Sequence, residues 1–77
     1  MTTVVPLVNL RAGQSATIVG CRAGRGLMSR LAAMGFTPGS RITMLNNYNY
    51  GPLLVMVHDC RVALGRGEAS KILVRLT

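Results

Sequence analysis

The chain has 77 residues, 49% of them apolar and 14% charged; this excludes a disordered segment and makes one domain over residues 1–77 the expectation. Eight arginines and one lysine stand against Asp59 and Glu68, for a net charge of +7, which favours acidic partners (nucleic acid, an anionic leaflet or an acidic protein face) without choosing among them. A chain this short builds only a thin core, and with Phe36, Tyr48 and Tyr50 as the only aromatics that core must be aliphatic.

The opening "PLVNLRAG" places Leu7 and Leu10 beside a turn at 11–13, and "QSATIVGC" at 14–21 alternates as a first strand. "RAGRG" at 22–26 reads as a glycine-rich loop. Residues 27–34 read as a helix, with Leu27, Leu31 and Met34 on one stripe that Met28 and Ala32 widen. Gly35 stands where a helix commonly ends in a left-handed residue, and Phe36 where an apolar side chain folds back on the last turn. Pro38 and Gly39 form a turn pair. Residues 40–45 read as a second strand, 46–51 as a polar loop carrying both tyrosines, and 52–65 as a hairpin. Its arms are 53–57 and 62–64, and its turn lies at His58, Asp59 and Cys60. "RGEASK" is long enough for one helical turn, and 72–76 is a last strand. Five short strands with one inserted helix and a helical turn before the last strand predict a mainly β fold, curled into a small barrel to cover its apolar face.

The inventory for catalysis is poor. Asp59 with Glu68 is the only carboxylate pair, His58 the only histidine, and none of Ser15, Ser29, Ser40 and Ser70 lies in a nucleophile-elbow pattern. "GCRAGRG" lacks the lysine and hydroxyl of a phosphate-binding loop, which leaves a weak anion site at the helix start near Arg25. His58 and Cys60, with Cys21 arriving from elsewhere, make a metal alternative that takes Fe(II) or Zn(II) weakly, although their spacing matches no known ligand pattern. Two cysteines without a C-x-x-C pair read as reduced thiols in a cytosol. The N-terminus lacks the features of a secretory signal, and the longest apolar run, 52–57, is too short to span a bilayer. A soluble cytoplasmic protein is expected. A nucleic-acid-binding barrel would use Phe36, Tyr48 and Tyr50 as stacking platforms, but aromatics are not interleaved among the arginines.

Taken together, "LMSRLAAMGFTPGSRITM", "GPLLVMV" and "RVALGRGEASKILV" resemble the FeoA family, small cytosolic accessory proteins of bacterial ferrous-iron uptake. The matching positions are Leu31, Met34, Gly35, Phe36, Pro38, Gly39, Gly51, Pro52, Ala69, Ile72 and Val74, and Leu7, Leu10 and Gly13 resemble the family's opening. Glu68 departs from the pattern, where an apolar residue is usual. The resemblance implies an SH3-like β-barrel and a non-enzymatic regulatory module without a required cofactor. It also implies a partner, the cytosolic GTP-binding part of the FeoB transporter, through which the chain would reach the inner face of the membrane. The contact residues expected for it are the exposed basic residues Arg25, Arg30, Arg41 and Arg66. Self-association stays open, because a short apolar chain tends to find partners for exposed apolar patches.

Overall fold

A computed structural model describes residues 3–22, 25–48 and 50–76, with Met28 placed by its backbone alone. The strands are β1 (Val4–Pro6), β2 (Ser15–Cys21), β3 (Arg41–Asn46), β4 (Leu53–Val57), β5 (Cys60–Leu64) and β6 (Ile72–Leu76). A 3₁₀ turn covers Leu7–Asn9, and the helices are α1 (Arg25–Ala33) and α2 (Arg66–Ala69). Every strand pair is antiparallel, in the order β1-β6-β2-β3-β4-β5. The last strand in the chain therefore lies between the first two.

Alternation decides the two faces. Ala16 and Ile18, Ile42 and Met44, Leu53, Val55 and Val57, Leu64, and Ile72 and Val74 all point into one core. A single sheet whose inner residues all meet must curl, and two irregularities help it. The register slips between Ile18 and Gly20 and again between Met44 and Asn46, and such bulges bend the strand that carries them. Leu7, Leu10, Leu31, Phe36 and Ala69 close the barrel from its ends and from α1 and α2.

The architecture is the expected mainly β, SH3-like one, with six strands rather than five. The addition is β1, which pairs Val4, Val5 and Pro6 with Arg75, Val74 and Leu73. Three residues ending in proline carry no readable alternation, and proline's missing N–H restricts it to an edge. Only β6, arriving from far along the sequence, makes this segment a strand. α1 starts at Arg25, two residues before the expected start at 27, because a glycine in the first helical turn is tolerated where N–H groups lack helical acceptors anyway. The expected glycine-rich loop at 22–26 lies outside the described residues at 23 and 24. The same holds for the side chain of Met28 in the expected stripe and for Asn49 in the expected loop at 46–51.

The end of α1 follows the sequence closely. Gly35 adopts φ 94°. Its N–H donates to the Ala32 carbonyl at 3.0 Å, and the Phe36 N–H donates to the Leu31 carbonyl at 2.8 Å. This pair of bonds is the Schellman arrangement, and its apolar contact joins the residues at its two ends, Leu31 and Phe36. Both are buried. Pro38 and Gly39, the latter at φ 92°, then turn the chain, with Ser40 N–H donating to the Thr37 carbonyl at 3.0 Å. The Gly39 N–H and the Ser40 carbonyl both bond Ile18, at 2.8 Å each, which fixes the turn against β2.

Candidate partner-binding surface

The β4–β5 hairpin is tighter than the sequence suggests. Val57 pairs with Cys60, so the loop is His58 and Asp59 alone, at φ 51° and 63°. Two consecutive positive φ values give the turn whose twist matches a hairpin. Cys60 and Arg61 consequently belong to β5, which was expected to begin at 62. The turn carries His58 back over the end of α1. An added Cβ on Gly35 would lie 2.8 Å from His58 Cδ2. The His58 Nε2 lies 3.3 Å from the Ser40 hydroxyl, which is 2.8 Å from the Thr37 hydroxyl. His58 is thus part of the junction between α1, the Pro38 turn and the hairpin.

The structure does not bring His58, Cys60 and Cys21 together as a three-residue metal set. Among the described residues, no group of three or more His, Cys, Asp or Glu side chains is placed to hold a metal ion. Cys21 ends β2, opposite Ile72, whereas Cys60 begins β5. Two strands separate them in the sheet, so three inter-strand spacings, roughly 14 Å, lie between β2 and β5. Neither cysteine forms a disulfide.

The four expected contact arginines fall in different environments. Arg25 opens α1 and is exposed. Arg30, on α1, lies 3.0 Å from Glu68 on α2. That contact is an ion pair without hydrogen-bond geometry. Glu68 therefore joins the two helices by charge. Arg66 is half-buried rather than exposed: it donates to the Asn47 side-chain carbonyl at 3.0 Å. The Asn47 amide in turn donates to the carbonyls of Val8, at 3.0 Å, and Leu10. Arg66 is thus committed to a polar tie beneath the 3₁₀ turn. Arg41 opens β3 on the outer face of the sheet and is exposed.

Two depressions mark the surface. An apolar cleft of about 40 Å³ lies between α1 and the sheet, lined by Ile18, Leu31, Phe36 and Ile72 with Cys21 and Pro38 at its edge. It is far smaller than the several hundred Å³ of a ligand pocket. A wide, open depression of about 590 Å³ lies between the Pro38 turn and the His58 turn, with Arg41, Thr43 and Met56 on its floor. Of the expected stacking platforms, Phe36 is buried at 5% exposure, while Tyr48 and Tyr50 are 64% and 81% exposed. No helix is long and apolar enough to cross a membrane among the described residues.

Residues 5–76 match the model of the FeoA domain. The chain is 36% identical over 69 residues to a protein of Methanocaldococcus jannaschii assigned as Fe(2+) transport protein A, covering 90% of this chain and 83% of that one. It superimposes on the crystal structure of an iron uptake regulatory protein, FeoA, with a TM-score of 0.93 and 33% identity, covering 97% of this chain and all of that one. A zinc-complexed FeoA of Stenotrophomonas maltophilia, described as a prokaryotic SH3-domain protein, matches with a TM-score of 0.76 and 32% identity over 96% of this chain and 88% of that one. The chain therefore shares its fold with a FeoA of about one-third identical sequence, and it belongs to the FeoA family of ferrous-iron transport accessory proteins.

Proposed function

We propose that this chain is a non-enzymatic binding module that docks on the cytosolic GTP-binding part of a FeoB-type ferrous-iron transporter and regulates it. The family match over residues 5–76 carries this reading. The surface chemistry supports it. Of the two carboxylates, Glu68 is occupied by Arg30, and Asp59 sits in a hairpin turn. The larger depression is open and shallow, which suits a macromolecular face better than an enclosed substrate. The basic exterior favours an acidic domain, or the anionic leaflet beside it, which supports a location in the cytoplasm at the inner face of the membrane.

Affinity capture tests the reading. A tagged chain is incubated with detergent-solubilised, nuclease-treated host cells at moderate salt. Recovery of a ferrous-iron transporter with a GTP-binding domain is the expected result. Its absence, with bound nucleic acid in a parallel capture without nuclease, would reject the module in favour of a nucleic-acid-binding barrel.

A further inference from the structure

We propose that the outer face of the sheet, through Arg41, Arg61 and Arg75, is the surface that holds an extended acidic segment of the protein partner. The proposal rests on the binding-module reading and names its surface, which shares only Arg41 with the four contact arginines expected from the sequence.

The strand register puts these arginines together. Arg75 on β6 and Arg41 on β3 both lie opposite Thr17 on β2. The next row runs Ser15, Thr43, Met56 and Arg61 across β2, β3, β4 and β5. Both rows face away from the core, because the alternating neighbours Ala16, Ile42, Val57 and Val74 are buried. Arg75 and Arg41 are two strands apart, roughly 10 Å, and Arg61 lies two strands and one pleat from Arg41, roughly 12 Å. From β6 to β5 the face spans four inter-strand spacings, roughly 19 Å, the length of about six extended residues. Side chains on one side of such a segment repeat at about 7 Å, a spacing that arginines of this reach can follow.

The three guanidinium groups are also available. Arg30 and Arg66 are engaged by Glu68 and Asn47, whereas Arg41, Arg61 and Arg75 make no ion pair among the described residues. Among the described residues, the one carboxylate bordering the face is Asp59, at the rim of the depression that Arg41 shares. That depression gives an incoming chain a concave seat. Thr43, whose hydroxyl lies 2.9 Å from that of Ser15, gives a polar contact there, and half-buried Met56 an apolar one. At the other end of the upper row, Val4 lies opposite Arg75 and is 48% exposed, a second apolar contact beside a charge.

The same geometry disfavours other occupants. A second copy would set arginines against arginines, and like charges in register are repulsive. Single-stranded nucleic acid needs aromatic platforms among the cations. Tyr48 lies beyond the far end of β3 from Arg41, seven residues on, or roughly 20 Å of extended chain. An acidic protein segment uses what this face has: spaced guanidinium groups, hydroxyls and a little apolar surface.

Amide chemical shifts of the full chain, titrated with a short synthetic peptide alternating glutamate and valine, test the surface directly. Shifts are expected at Thr17, Arg41, Thr43, Met56 and Arg61. The triple variant R41Q/R61Q/R75Q should bind roughly tenfold more weakly, while the charge-matched R11Q/R22Q/K71Q stays within about twofold of the parent. An equal loss in both triples, or shifts centred on α1, overturns the proposal. Tighter binding of oligothymidylate than of the peptide on the same face overturns its acidic-protein assignment. The isolated cytosolic domain of the transporter is then titrated with the same variants. Undiminished binding by R41Q/R61Q/R75Q refutes the surface. A chain that holds the peptide on this face yet ignores the domain supports the surface and refutes the transporter reading alone.

Discussion

Replacing Gly35 by alanine tests the joint between helix, turn and hairpin. The backbone there has φ 94°, a left-handed conformation that costs an L-residue about 1–2 kcal/mol. The new Cβ would also sit 2.8 Å from His58 Cδ2, closer than carbon atoms approach. The ring must swing away, and its contact with the Ser40 hydroxyl at 3.3 Å is then lost, a further ~0.5–1 kcal/mol. The sum is about 1.5–3 kcal/mol. A chain of 77 residues has roughly 4–12 kcal/mol of stability in all, so G35A should lower Tm by about 10–20 °C. Urea unfolding followed by circular dichroism measures the loss directly, with the slope unchanged if the fold persists. The variant H58G removes the ring from a position that already has φ 51°, where glycine is at ease. In that background G35A should cost about 0.5–1 kcal/mol less. A loss below about 0.5 kcal/mol in the parent, within the range of ordinary surface substitutions, would refute the reasoning. So would an identical loss in both backgrounds.

Other substitutions probe the remaining contacts. N47A removes the donor to the Val8 and Leu10 carbonyls and the acceptor of Arg66, so it should cost about 2–3 kcal/mol in the same unfolding assay. R30Q breaks an ion pair whose arginine is 67% exposed; the loss should stay below about 0.5 kcal/mol and vanish near 1 M salt. D59G relaxes the second residue of the hairpin turn, at φ 63°, and should raise stability by about 0.5 kcal/mol, seen as a Tm increase of a few degrees.

The candidate surface was harder to read than the fold, and single residues show why. Arg41 was legible, because a cation opening an alternating strand points outward once its neighbours are assigned inward. Arg61 was hidden by one residue of hairpin register: with the turn set at His58, Asp59 and Cys60, it fell outside the strand. Arg75 falls between Val74 and Leu76 in the expected last strand, so it points to the opposite side from them. Its position beside Arg41 across Thr17 depends on β6 entering between β1 and β2, and nothing local encodes that entry. Arg66 looked exposed because its neighbours are small and polar. Its partner Asn47 lies 19 residues earlier, which no periodicity links to it.

The sequence by itself determined the local geometry. Gly35 stops α1 because a residue without a Cβ takes the left-handed cap at no steric cost. Pro38 and Gly39 turn the chain by their own dihedral preferences. Alternation assigned the inner and outer faces of β2, β3 and β6, and the joint pattern of stops and turns fixed the family. Tertiary structure decided what local rules leave open. It made an edge strand of Val4–Pro6, set Cys21 and Cys60 on strands with two others between them, paired Glu68 with Arg30, and gathered on one face three arginines that make no ion pair among the described residues. The reason is physical: dihedral preference and side-chain period act over a few residues, whereas strand order and polar partners arise from burying one shared core.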